Sequence, residues 1–390
     1  MTLEKGPQAF PREEYLRRIS AVKLQMARLE IEALFVSNPA NVTYLTGCTV
    51  WGGPQGLVVS IAREEPTFII RGVDWAAGIY QSFLERENLI TYPENRRFEP
   101  GVDGYDAVID FLHDAGLANR GVGLEMNHLP AQTAEKFRKR LPQARIVDSN
   151  RAVDWVRLIK SNLEISVIKE AAAIADAAMV RATEVIRADV RESDVVAEIV
   201  ATQVRGVNGK PSTGFTPIGP LFLCSSPRTG VAHYPWSEGT IRPGSQINLE
   251  VTGVRHGYVA ALMRTFSLGA PSDRLRRLHE AELAGLEAAL NTVRPRVTCS
   301  DVGGAFYNTI EKLGFKKDTR CGYSIGINWT EPNASFDDGD KTELKPNMVF
   351  HLMLGNWMEE DFGYVISEMI RVTESGVEVL TNTPRKLFVV

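Results

Sequence analysis

Residues 247–266 read INLEVTGVRHGYVAALMRTF, two strand-like apolar runs separated by Arg255-His256-Gly257. A single carboxylate, Glu250, stands in the middle of the first run. Burying an unpaired charge is costly, so a carboxylate in such a strand is paired, protonated or functional. The plain alternative is an edge strand with Glu250 facing water. The same choice recurs in YVISEMIRVT (364–373), where Glu368 lies between apolar neighbours.

Outward from this segment the pattern repeats. Upstream, residues 156–186 contain a long amphipathic helix and ESDVVAEIVATQVRGV (192–207) a second, followed by the strand-like PLFLCSS (220–226). Downstream, two more helices, SDRLRRLHEAELAGLEAALNTV (272–293) and TCSDVGGAFYNTIEKLGF (298–315), precede strands around MVFHLML, YVISEMIRVT and GVEVLT. Two rounds of helices followed by antiparallel strands predict a pseudo-symmetric α+β domain over 156–390. Residues 1–155 differ in texture. A helix over 13–29 leads into the buried strand IEALFVS, and helices then alternate with strands up to ARIVDS (144–149), as in an α/β unit.

The bulk properties exclude several classes. The chain has 390 residues, is 44% hydrophobic and 24% charged, and carries a net charge of −4. That balance, with no long basic run, argues against nucleic acid as a partner. No run approaches the roughly 20 apolar residues of a membrane span, and the polar start lacks a signal-peptide core. Cys48, Cys224, Cys299 and Cys321 are far apart and without metal-knuckle spacing, which reads as reduced thiols in a cytoplasmic protein.

Two further segments carry candidate chemistry. TGVAHYPWSEGT (229–240) places His233 among aromatic and glycine flanks, and CGYSIGINWTEP (321–332) places Tyr323 between glycines. A lone histidine is more often structural than catalytic. In order and spacing, however, these segments match one family. The second half resembles the creatinase/aminopeptidase P superfamily of M24 peptidase-like proteins, whose catalytic domain has the pita-bread fold. Metal-dependent members carry an Asp eight residues before a Gly-Tyr tyrosine and a second Asp just after it. A His in a glycine-rich run, a Glu after Met-Val-Phe and a Glu near the C-terminus complete the set. The matching positions here hold Glu250, Ala261, Tyr323, Met353 and Glu368, with Arg264-Thr265-Phe266 intact. Divalent metals need several hard donors converging at about 2.0–2.3 Å. Ala261 and Met353 supply none, so neither a catalytic metal nor another cofactor is expected.

The resemblance is nearer to the metal-free branch that hydrolyses guanidino and cyclic amidine carbons, and ectoine hydrolases in particular. Arg320-Cys321-Gly322-Tyr323, MVFHLMLGNW, VTESG and PRKLFVV carry it, as does TYLTG with Trp51 soon after. It implies an N-terminal creatinase-type domain and a small-molecule substrate opened at a C–N bond. It also implies a homodimer, in which the loop bearing Tyr44 and Trp51 reaches the neighbouring subunit's site. Glu250 is then the nucleophile or the carboxylate that orients water, His233 the acid/base, and Glu368 the group that holds substrate nitrogens or tunes His233. Tyr323, His351, Arg264 and Trp357 are the remaining substrate-binding candidates, ordinary packing being the alternative for the tyrosine and tryptophan. Three segments depart from the pattern: GCTVWGGPQGLVV, SSPRTGVAHYPW and GYVAALM. A creatinase-like amidinohydrolase and a non-catalytic pita-bread binding module are the competing readings.

Overall fold

The computed structural model describes residues 3–49, 55–93, 102–214 and 222–390. They form two compact units, Met1–Arg157 and Leu158–Val390. In the first unit the described helices are α1 (Arg12–Arg28), α2 (Pro39–Thr46), α3 (Trp75–Gln81), α4 (Gly104–Asp114), α5 (Ala131–Arg140) and, ending one residue past its boundary, α6 (Ala152–Leu158). Its strands are β1 (Ala33–Val36), β2 (Gly56–Ser60), β3 (Thr67–Arg71), β4 (Leu89–Tyr92), β5 (Gly121–Leu124) and β6 (Arg145–Asp148). They form one six-stranded sheet in the order β4-β3-β2-β1-β5-β6. Phe35, Ile69, Val122 and Phe137 belong to its closed apolar core.

The second unit opens with α7 (Asn162–Val185) and α8 (Glu192–Arg205), then β7 (Phe222–Ser225), β8 (Gln246–Arg255) and β9 (Tyr258–Ser267). Helices α9 (Asp273–Thr292) and α10 (Cys299–Lys312) begin the second round. Strands β10 (Gly322–Ser324), β11 (Val349–Met353), β12 (Asn356–Glu359), β13 (Phe362–Tyr364), β14 (Ser367–Val372), β15 (Val377–Val379) and β16 (Phe388–Val389) follow. Helix starts are set locally. Ser161 with Glu164 and Thr298 with Asp301 form capping boxes on α7 and α10, satisfying backbone donors that a helix start leaves free. The Ser161 cap also divides the long apolar pattern of 156–186 into α6 and α7.

Two four-stranded sheets result, β16-β9-β8-β7 and β10-β11-β14-β15. Residues of α7 and α8 form one buried core with Leu249, Val251, Leu262 and Phe266. Residues of α9 and α10 form another with Phe350, Leu352 and Ile370. Gly253 permits the first packing, because a Cβ there would lie 1.8 Å from the Ala171 carbonyl oxygen. The sheets are stitched where β9 meets β14 and the residues before it. Met263 N donates to Ser367 Oγ at 2.8 Å, and Thr265 Oγ1 donates to the Val365 carbonyl at 3.0 Å. The side chains on the other faces of these sheets are therefore brought together. Among the described residues no helix is long and apolar enough to cross a membrane, and the four cysteines are free and buried.

Candidate active site

Glu250 lies mid-strand in β8, with Phe222 of β7 and Met263 of β9 directly opposite on either side. It is 3% exposed, and Oε1 has no hydrogen-bond partner among the described residues. Burial pushes its carboxyl well above the usual carboxylate range. The free site thus holds a neutral acid, since low dielectric disfavours the charged form. Phe222, Cys224, Met263, Tyr323, Met353 and Val365 form one small apolar cluster, with Trp329 and Trp357 packed against it. Glu250 lies directly opposite Phe222 and Met263 of this cluster, so aromatic rings and thioethers gather beside a single acid, and the cluster is here called the chamber.

Tyr323 and His351 are cross-strand partners in β10 and β11. The Tyr323 hydroxyl lies 3.1 Å from His351 Nδ1, and both side chains are buried. Burial, and then the nearby Glu250, push the Tyr323 pKa up, so the phenol keeps its proton. The protonated phenol and the imidazole thus share one hydrogen bond, whose direction follows the tautomer of His351. Burial, helped by the Arg320 charge, holds the His351 pKa down to about 3, so the ring stays neutral. Its Nε2 is buried and has no partner among the described residues.

His233 reaches the edge of this chamber from the loop between β7 and β8. Its ring centroid is 6.3 Å from that of Trp357, and the side chain is exposed. It forms no hydrogen bond among the described residues, and none joins it to Glu250. The loop itself is tightly held. Glu192, 0% exposed at the start of α8, accepts from Arg228 Nη2 at 2.5 Å, Ser237 N at 2.6 Å and Ser237 Oγ at 2.7 Å. Ser225 Oγ donates to the same carboxylate. Cys224 Sγ adds a contact to the Tyr234 carbonyl at 3.2 Å. Trp357 is placed by the absence of a side chain at Gly355, where a Cβ would lie 2.3 Å from the indole. The Trp357 Nε1 is buried and has no partner among the described residues.

Other sequence candidates lie elsewhere. Ser367, not Glu368, stands opposite Met353 across β11 and β14. Opposed residues share a face and successive residues alternate, so Glu368 points away from Met353 and His351. Its carboxylate is bound by Arg264 at 2.8 Å, Arg385 at 3.1 Å and Thr381 Oγ1. Arg264 is likewise saturated, donating also to the Met263, Ser367, Thr383 and Pro384 carbonyls. Arg264, expected to bind substrate, and Glu368, expected among the catalytic residues to hold substrate nitrogens or tune His233, instead form a buried ion pair with each other. Tyr44 is not on a loop: it lies in α2, 1% exposed, with the Arg18 guanidinium 4.4 Å from its ring centroid. Trp51 falls outside the described residues.

The metal-ligand frame fails a test of donors. Its fifth position on the chamber face is Ser367, whose hydroxyl already accepts from Met263 N. Together with Glu250, Ala261, a protonated Tyr323 and Met353, that leaves one carboxylate. Among the described residues no three His, Cys, Asp or Glu side chains gather as a metal site needs. This donor set does not fit a divalent ion.

Met263, Phe222 and Val365 were not visible as chamber residues in the sequence, being indistinguishable from core by type. Arg320 was visible only as part of a motif.

The model of metallopeptidase family M24 matches residues 166–374, and that of the creatinase/prolidase N-terminal domain matches residues 18–159. The uncharacterized hydrolase/peptidase y4tL of Sinorhizobium fredii is 61% identical over 393 residues, covering 100% of each chain. Ectoine hydrolase of Halomonas elongata is 33% identical over 392 residues, covering 97% of this chain and 98% of its own. The X-Pro aminopeptidase of Thermotoga maritima superposes with a TM-score of 0.83 at 21% identity, over 96% of this chain and 99% of that one. That likeness shows the creatinase-type and pita-bread folds.

Proposed function

The chain belongs to metallopeptidase family M24, and from that premise we propose that it is a hydrolase working without a catalytic metal. Its substrate is a small cationic amidine or guanidino compound cleaved at a non-peptide C–N bond, with ring opening of ectoine to N-acetyl-diaminobutyrate the favoured reaction. The observation that carries this reading is Glu250, one uncompensated acid in a buried aromatic chamber. A planar N–C–N cation complements it as a paired carboxylate and gains from the ring faces of Trp329 and Trp357. Similarity to ectoine hydrolase over nearly the whole chain supports the same class.

Glu250 loses its proton as the cation enters. It then either attacks the amidine carbon, the ring C–N bond breaking to leave an acyl-enzyme that water hydrolyses, or takes a proton from the attacking water. In the second case water oxygen becomes the new carbonyl oxygen and the ring C–N bond breaks. One proton of the water goes to Glu250 and the other, by way of His233, to the departing nitrogen. His233 faces solvent beside Trp357 and also exchanges that proton with bulk water. We further propose a cytoplasmic homodimer, for which the resemblance and the free cysteines are the support.

The test is a hydrolysis panel with chelator-treated protein: ectoine, hydroxyectoine, creatine and an X-Pro dipeptide. Turnover of an amidine or guanidine that survives chelation is expected. Failure on all three, with peptide hydrolysis appearing after metal addition, overturns the reading.

A further inference from the structure

Among the described residues nine arginines of the second unit hold carboxylates, including Arg228 with Glu192, Arg255 with Glu170, Arg264 and Arg385 with Glu368, Arg274 with Glu359 and Arg371 with Glu378. Arg320 differs. Among the described residues no carboxylate lies within ion-pairing distance of it. Its guanidinium instead sits 4.4 Å from the Tyr323 ring centroid, partly buried, and Nη1 donates only a long bond to Ser335 Oγ at 3.4 Å. Ser335 bridges Tyr323 on one side and His351 pairs with it on the other. Ser335, Tyr323 and His351 therefore share the chamber face, and Arg320 is stacked on the central ring of that row.

We propose that Arg320 is the anion-recognising residue of the site. With Glu250 it makes the chamber a receptor for small zwitterions, an amidinium or guanidinium at one end and a carboxylate at the other. The inference rests on the amidine or guanidine hydrolase reading above and narrows its substrate class. A guanidinium stacked on an aromatic face is held in one plane, leaving its N–H edge to grip a carboxylate with two parallel bonds. His351 Nε2, buried and without a partner among the described residues, is a second polar atom on the same face. The charge of Arg320 acts on Tyr323 and His351, whereas the shift at Glu250 is set by burial alone. Arg320 lies over the Tyr323 ring beside β10, whereas Glu250 stands in β8 of the other sheet, so the two poles come from separate elements. A cation without the carboxylate leaves Arg320 unpaired, and the site selects against it.

Steady-state kinetics on ectoine and creatine, each beside its carboxamide, test the assignment with wild type, Arg320→Leu and Arg320→Lys. Wild type is expected to favour the carboxylate form. Arg320→Leu should raise KM for that form by roughly 10- to 150-fold, the worth of hydrogen bonds to a charged group. It should not raise the carboxamide KM, so the preference for the carboxylate form collapses, and Arg320→Lys should recover part of the loss. The carboxylate-to-carboxamide ratio is read within one protein sample, so partial misfolding does not imitate the result. Equal losses for both forms mean that Arg320 merely supports Tyr323, and no loss means that it is idle. Either outcome overturns the assignment while the hydrolase reading stands. Wild-type protein that neither turns over ectoine or creatine nor binds them by calorimetry overturns both.

Discussion

Arg264 and Glu368 form an ion pair of 2.8 Å in which the side chains are 0% and 1% exposed. Removing one partner of such a pair strands the other charge out of water. Glu368→Gln and Arg264→Met should each destabilise the protein by about 3–5 kcal/mol, measured by urea unfolding. The double variant should cost less than the sum of the two, because the residues are in contact. Additive losses would show that the pair does not act as one.

Glu250→Gln should abolish turnover while leaving the fold intact. Its effect on stability has a definite sign. The folded pKa is raised, so the contribution of the acid is fully present below the ordinary value of about 4.3. It is lost as pH rises through the folded value. Urea midpoints of the variant should therefore gain on wild type with increasing pH. A constant difference from pH 5 to pH 8 would mean that Glu250 is ionised in the free protein.

His351 behaves in the opposite sense. Its folded pKa is lowered to about 3, so its stability is present above the ordinary value of about 6.5 and is lost as pH falls toward the folded one. Wild type should lose roughly 1.4 kcal/mol per pH unit from this group in that window. His351→Gln, which takes no proton there, should flatten the acid limb. An unchanged acid limb would place a charge partner beside the ring.

His233 is exposed at the chamber edge, so His233→Ala should leave the melting temperature close to that of wild type. If His233 carries the proton to the departing nitrogen, kcat should fall by roughly 10²–10⁴. A rate near that of wild type removes it from the mechanism.

The alternation of elements in both halves was legible because each has its own period and its own caps. Glu250 was legible because charge in an apolar strand is conspicuous. Parity in β14 was not, since Ser367, Glu368, Met369 and Ile370 are all buried. With no wet face there is no alternation to say which side Glu368 takes, and only the pairing of Met353 with Ser367 decides it. The placement of Tyr44 had a usable signal, as Asn38, Pro39 and Gly47 are the cap, first residue and stop of a short helix. Arg320 showed only as part of a motif and its place did not, because its contact with Tyr323 arises between a loop and a strand.

The four hydroxyl, amide and guanidinium groups gathered on Glu192 bear on modularity. Residues 225–237 are not a cassette: their course is written partly in the first turn of α8, more than thirty positions earlier in the chain. Grafting the loop alone into a scaffold with no acid at that turn would transplant a histidine without its address.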